Sequence, residues 1–348
     1  MWKYVLAGQL APWEADLKHI PPRRPSLAVS VLALVALLVA ACGSGGSSAQ
    51  GGTLQPGENG LIKVKIAETP GLPAAFTQFG VDKGFFKEQG LDVEVTTLQG
   101  GQTMVSAMLA GDVQFTGGDV VAFTTFRSRN VPVVIVRPGS GAGDKKGEDY
   151  QAIVASPKIT SPKDLEGATV AVNELNNIGQ LFTEMALERN YGVDVSTIKW
   201  AEIALPDVNG AIASGQIDAG YSLEPFQTVA HNQGLHTVLT PGVEYGANSQ
   251  IGLVLTTEQF LKANADVVKA FQAAHLKTRN YILEHEQEYR DALVKLAGLQ
   301  PEAASTIRLP AYHEHVNRET ISQVVKDMRE RGLIDKELDI EAFFAPDA

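Results

Sequence analysis

The sequence predicts an α/β protein of two similar lobes, each a mostly parallel sheet covered by helices. One observation carries most of this: a pattern written twice, about a hundred residues apart. The first copy runs from Lys63-Val64-Lys65-Ile66-Ala67 through Gln89-Gly90-Leu91-Asp92-Val93 to Ala110-Gly111-Asp112-Val113-Gln114-Phe115. The second runs from Thr169-Val170-Ala171-Val172 through Tyr191-Gly192-Val193-Asp194-Val195 to Ser214-Gly215-Gln216-Ile217-Asp218-Ala219. A further observation is the punctuation: each copy alternates short β-branched runs with longer helical stretches ended by Gly, which spells βαβαβ. Finally, the chain is long enough for two modest domains.

Within each copy the strands end in loops that lead into helix N-termini, and in open parallel sheets the ligand site lies beyond those carboxyl ends. The loops are Thr69 to Ala75, Gly100 to Thr103 and Thr116 to Val120 in the first copy. In the second they are Asn173 to Gly179, Leu205 to Asn209 and Tyr221 to Phe226. Two such lobes facing each other predict a clamp around a ligand.

The segment before the first copy reads as export and anchoring. Arg23 and Arg24 precede an apolar run from Leu27 to Ala41, which ends in Val39-Ala40-Ala41-Cys42-Gly43-Ser44. A basic segment, a short apolar core and small residues before a Cys predict a bacterial lipoprotein signal, residues 1–41, cut so that Cys42 carries lipid. The run is shorter than the roughly 20 residues of a spanning helix. Glu14 and Asp16 are unusual ahead of a signal, which points to a start further in, and Pro25-Ser26 makes a poor twin-arginine match. Residues 42–60, rich in Gly, Ser, Gln and Pro, are expected to be a flexible tether. Folded protein is expected from about Leu61.

Cys42 is the only cysteine, so the body past the tether has no disulfide, thiolate metal site or cysteine nucleophile. The formal charge is −11; removing 1–41, with its four Lys and Arg against two acids, makes it −13. Such an acidic body argues against nucleic acid and against electrostatic membrane attachment, leaving lipid as the anchor.

Beyond the second copy, Gly246-Ala247-Asn248-Ser249-Gln250 precedes a strand-like Ile251-Gly252-Leu253-Val254-Leu255. Helices follow with apolar spacing at Val267, Val268, Phe271, Ala274, Leu276, Ile282 and Leu283, then around Tyr289 to Leu296 and Arg318 to Arg331. Having no sheet of their own, they are expected to return to the first lobe. The chain then crosses between lobes twice, near Ile153 to Ser156 and near Tyr245 to Leu255.

Several segments taken together resemble a known family. Gly84-Phe85-Phe86-Lys87-Glu88-Gln89-Gly90-Leu91-Asp92-Val93, Met108-Leu109-Ala110-Gly111-Asp112-Val113, Gly117-Gly118-Asp119, Ser161-Pro162-Lys163-Asp164-Leu165-Glu166-Gly167 and Leu223-Glu224-Pro225-Phe226 are similar to the solute-binding proteins of ABC importers for nitrate, sulfonates, taurine and thiamine pyrimidine precursors. The resemblance covers roughly 61–345. It implies a type II periplasmic-binding-protein fold: lobe 1 from 61–155 plus 246–348, lobe 2 from 156–245, and a hinge at the two crossings. It also implies an extracytoplasmic, monomeric protein, needing no cofactor, that closes on one small molecule and hands it to a membrane permease and its ATPase.

Candidate ligand residues follow from the loops. Gly100, Gly101, Gln102 and Thr103, with Asn177 and Gly179, offer backbone N–H groups at helix starts; Gly118 allows close approach. Glycines there equally serve tight βα loops. Asp119, Asp207, Glu224, Glu174 and Glu244 supply acids while no Lys or Arg lies in the loops and Arg137 sits nearby. A strong dianion would call for a bidentate Arg, so a neutral or nitrogen-bearing molecule, or a monoanion on backbone donors, fits better. Asp119 and Glu224, at near-equivalent places in the two copies, are expected to face each other across the cleft; helix capping is the competing role, most of all for Asp207 after Pro206. Phe76, Tyr221, Phe226 and Tyr245 could sandwich a ring or belong to the core.

Gly139-Ser140-Gly141-Ala142-Gly143 lacks the Lys and helix of a phosphate loop, and His313-Glu314-His315 lacks a third metal ligand. Two rival classes remain. Enzymes on the same scaffold resemble this chain but depend on cysteines or clustered histidines, which the body past Cys42 lacks; a lipid-anchored sensor or adhesin is the other.

Overall fold

The computed structural model describes residues 52–348. The expected signal, residues 1–41, and the lipidation site Cys42 lie outside the described residues, as does most of the expected tether. The chain from Gly52 is already held: the backbone N–H of Leu54 donates to Asn264 at 2.7 Å, and Asn264 Nδ2 donates to the Gly52 carbonyl at 3.2 Å. Contact with the fold therefore begins some nine residues before Leu61, because Leu54 also packs on the core under the first sheet.

The first lobe opens with β1 (Ile62–Glu68), α1 (Leu72–Asp82), the short α2 (Phe85–Glu88), β2 (Leu91–Thr97), α3 (Gly101–Ala110), β3 (Phe115–Asp119), α4 (Val120–Ser128) and β4 (Val133–Pro138). After the two-residue β5 (Ser140–Gly141), the chain enters the second lobe with β6 (Gln151–Ala155), β7 (Thr169–Val172), α5 (Ile178–Tyr191), β8 (Lys199–Glu202), α6 (Val208–Ala213), β9 (Ala219–Leu223), α7 (Phe226–Asn232), β10 (His236–Leu239) and α8 (Pro241–Tyr245). It returns through β11 (Gly252–Thr257) to α9 (Glu258–Ala263), α10 (Ala265–Glu284), α11 (Glu286–Leu296), α12 (Pro301–Thr306), β12 (Ala311–Tyr312) and α13 (Arg318–Glu330).

The repeat read from sequence becomes two sheets with the same plan. The first has the order β2-β1-β3-β11-β4, the second β8-β7-β9-β6-β10. In each, the three strands of the repeat are parallel. The fourth is antiparallel and is the strand that has just crossed from the other lobe, β11 beside β3 and β6 beside β9. Gly111 and Gly192 stop α3 and α5 at φ of 87° and 66°, a left-handed cap that glycine adopts without penalty.

Two expectations need correction. Gln151–Ala155 pairs with Ala219–Leu223 in the second sheet, so the first crossing precedes Gln151 rather than falling at Ile153 to Ser156. Its apolar run carries no mark of which sheet it joins; only pairing decides that. Further, α9 to α11 do return to the first lobe, where Phe115 stacks on Phe271 at 4.1 Å, but α13 does not pack there alone. Arg331, its C-cap, reaches Glu184 and Glu188 of α5, and Asp327 accepts from Arg189 of α5 at 2.6 Å. Phe123 of α4, Phe182 of α5 and Val324 of α13 share one buried cluster. Beside the two crossings, a packed helix thus ties the lobes together.

Candidate functional site

Both sheets point their carboxyl ends at a common cleft that encloses a cavity of about 80 Å³, several times the roughly 10–15 Å³ that one water needs. The first lobe lines it with Glu68 at the end of β1 and Thr69 just after it, Phe76 of α1, Gly101 and Met104 of α3, Gly117 to Asp119 of β3 and His275 of α10. The second contributes Asn173, Asn177 and Ile178 at the start of α5, Tyr221 and Leu223 of β9, with Tyr150 and Tyr312 closing the sides. The parallel strands put these residues together because successive strand ends of one sheet converge on one edge.

Two carboxylates cross the cleft to helix N-termini, in a reciprocal arrangement. Both oxygens of Glu174, in the second lobe, accept the backbone N–H of Gln102 at 3.2 Å, at the start of α3 in the first. Asp119 caps its own helix α4, accepting from Val121 and Ala122 at 2.9 Å each, and the Ile178 N–H at the start of α5 also stabilises its charged form. Each helix start carries free N–H groups and partial positive charge, which a carboxylate satisfies. Burial nonetheless dominates: it raises Glu174 to about 7 and Asp119 to about 6 against these hydrogen bonds, with Asp119 adding repulsion at Glu174.

Glu68 is the third acid and the sequence reading did not single it out. It is 5% exposed, and burial raises its pKa to about 8 although the Thr77 hydroxyl donates to it at 2.9 Å. Any side chain on Gly117 would collide with its other carboxylate oxygen, so glycine at 117 is what makes room for it. The usable signal was its position as the last residue of β1, where the ligand loops begin. His275 is equally buried, its Nδ1 has no hydrogen-bond partner, and burial lowers its pKa to about 3, which keeps the ring neutral. Its ring lies 4.7 Å from Phe76, which lies 5.0 Å from Tyr312.

The remaining sequence candidates separate into three groups. Gly101, Gly118, Asp119 and Asn177 line the cavity, and Asn177 also caps α5 by accepting from Gln180 at 3.1 Å. Gly100 and Gln102 abut Glu174 at the rim, while Thr103 faces outward; Gly179 packs against the Tyr221 ring, which a side chain there would strike at 2.9 Å. Glu224, Asp207 and Tyr245 are elsewhere. Glu224 is fully buried and does not face Asp119: its carboxylate accepts the Thr228 N–H and hydroxyl at 3.0 Å, with the Arg308 N–H at 3.4 Å. Asp207 is exposed and its side chain makes no cap hydrogen bond. Tyr245 stacks on Phe182 at 3.8 Å and donates to Asp327 at 2.7 Å. Of the aromatics, Phe76 and Tyr221 line the cavity, whereas Phe226 packs against the core cluster. Arg137 donates to the carbonyls of Glu314 and Asp347, and no Lys or Arg is among the described lining residues.

With this geometry in place, similarity to known proteins becomes decisive. A family model described as NMT1/THI5 like matches residues 75–289, well over half of the chain. The chain belongs to the NMT1/THI5-like family. This NMT1/THI5-like chain is 25% identical over 213 residues to the taurine-binding periplasmic protein of Escherichia coli, covering 60% of this chain but only 63% of that protein. It is 24% identical over 241 residues to the formylaminopyrimidine-binding protein of Halalkalibacterium halodurans, covering 67% of this chain and 69% of that one. Among solved structures it matches the alkanesulfonate-binding protein SsuA of Xanthomonas axonopodis pv. citri bound to MOPS, with a TM-score of 0.69 at 13% identity over 81% of this chain and 98% of that one. It matches the periplasmic nitrate-binding protein NrtA of Synechocystis with a TM-score of 0.66 at 13% identity, over 81% and 84%. These structural likenesses establish the periplasmic-binding-protein fold for the NMT1/THI5-like chain.

Proposed function

We propose that this protein is the extracytoplasmic solute-binding component of an ABC importer, which closes its two lobes on a small organic molecule and delivers it to a permease and its ATPase. The observation that carries the reading is the cavity itself, enclosed between two repeats of one lobe and lined from the carboxyl ends of both sheets. Relatives named for binding taurine and formylaminopyrimidine support a small organic solute, and the absence of Lys and Arg from the described lining speaks against a dianion. Cys42, in its lipobox-like context, would hold the protein to the outer face of the cell membrane. The hinge would lie at the two crossings, just before β6 and just before β11.

The test is twofold. Deleting the gene should abolish uptake of the solute carried by the purified protein, and saturating solute should stabilise that protein by mass action, by about 2.7 kcal/mol at a hundredfold excess over Kd. Unchanged uptake in the deletion strain would leave the sensor reading as the better one.

A further inference from the structure

The cleft has two helix starts that a solute anion would ordinarily use, and the chain fills both itself. Glu174 sits on the first turn of α3; at α5 the Asn177 side chain accepts the Gln180 N–H, with Asp119 near the Ile178 N–H. An incoming anion would have to displace a carboxylate from its donors, and would do so in a cavity that already holds Glu68 and Asp119, with no Lys or Arg among the described lining residues and a neutral His275. Other donors are committed as well: the Tyr150 hydroxyl donates to Ser140 Oγ at 2.7 Å and the Tyr221 hydroxyl to Gln151 at 2.9 Å.

Once Glu68 is ionised, acceptors by contrast are in surplus. One Glu68 oxygen takes the Thr77 hydroxyl, while its other oxygen, above Gly117, receives no donor among the described residues. His275, whose Nδ1 is buried without a partner, is neutral and so offers one acceptor and one donor nitrogen. Phe76, Tyr221 and Tyr312 also line the cavity, and an aromatic ring attracts a positive charge placed over its face. A buried polar group without a partner, such as His275 Nδ1, costs free energy until a ligand supplies one.

We propose that the solute is a small organic cation carrying N–H donors, an amine or amidinium, with its positive end on Glu68 and its body between Phe76, Tyr221 and Tyr312. This rests on the solute-binding reading and names the chemistry of that same site. A cation beside Glu68 also removes the strain of burying that carboxylate, since an opposite charge within hydrogen-bond reach favours its ionised form.

The experiment titrates the full soluble body by calorimetry at pH 8 with benzylammonium and benzamidinium, with neutral benzamide, and with benzoate and benzenesulfonate. In parallel, solute carried through purification from the source cell is released by denaturation and identified by mass spectrometry. The cationic probes are expected to bind at least about tenfold more tightly than benzamide, and the anions not at all; the recovered solute is expected to be a cation. Glu68→Gln, which keeps the size and the Thr77 contact, is expected to lose at least about tenfold for the cations and markedly less for benzamide, with its fold verified by melting. Tighter binding of an anionic probe, recovery of an anionic solute, or full affinity of Glu68→Gln for the cations overturns the charge assignment and leaves solute binding intact. No probe bound and no solute recovered overturns both.

Discussion

Glu174 accepts the backbone N–H of Gln102 across the cleft through both carboxylate oxygens, at 3.2 Å. No residue of the second lobe other than this acid reaches the start of α3 by a side-chain hydrogen bond among the described residues. It therefore fastens the lobes at the start of α3. A charge-assisted hydrogen bond of this kind is worth roughly 1.5–3 kcal/mol. Glu174→Ala is expected to favour the open form and to weaken solute binding by about tenfold to a hundredfold, through faster dissociation. Stopped-flow release and small-angle scattering of the solute-free protein would both register it; unchanged release would show the contact to be incidental.

The acids of the cleft reverse the usual pH dependence of carboxylates. Burial raises Glu68 to about 8, Glu174 to about 7 and Asp119 to about 6, so the folded state holds their protons more tightly than the unfolded chain does. Their contribution to stability is present in full below the unfolded values near 4, and is lost as pH rises through the folded ones. The solute-free protein should melt several degrees lower at pH 8.5 than at pH 5. Glu68→Gln removes the largest part of that slope, an effect on the order of a few kcal/mol at pH 8.5. A variant no more stable than the parent at pH 8.5 would contradict the buried placement of Glu68. The other titratable groups lining the cavity, Tyr150, Tyr221, Tyr312 and the neutral His275, are uncharged throughout this range, since burial raises the tyrosines and lowers the histidine.

Asp327 of α13 is fully buried and gathers Arg189, Gln323 and Tyr245 around one carboxylate. Removing one partner of a buried charge pair typically costs about 3–5 kcal/mol; with Arg189 partly exposed, Asp327→Ala is expected to cost about 2–3 kcal/mol in thermal or urea unfolding. Tyr245→Phe should cost about 1 kcal/mol and leave solute affinity unchanged, because its ring stacks on Phe182 outside the cavity. Lost affinity in Tyr245→Phe would show that α13 and the cleft are coupled.

Cys42→Ala is expected to abolish fatty-acid labelling while solute binding persists, since the cavity is lined by residues from Glu68 onward. Label retained in the variant would remove the lipid anchor from the proposal.

What the sequence alone determined is everything written in local periodicity: the twice-repeated βαβαβ, the Gly stops at 111 and 192, the helices after Ile251 and the edge where strands end in glycine-rich loops. Period, caps and breakers act within a few residues, so they are legible without partners. Asp119 was legible too, as an acid at a helix start beside Gly117-Gly118. What only the tertiary structure decided is which side chains face the cavity, because that depends on partners distant in sequence. Glu224 occupies nearly the same place in its repeat as Asp119, yet Thr228 and the Arg308 N–H draw its carboxylate away. Tyr245 is drawn to Phe182 and to Asp327 of α13. Glu68 ends a strand like any solvated acid, and becomes a buried acceptor only because Gly117 of the neighbouring strand leaves space above it and Thr77 and His275 close around the cavity. A carboxylate's charge in water and its acceptor role in a cavity come from the same residue type, and desolvation by burial is what separates them.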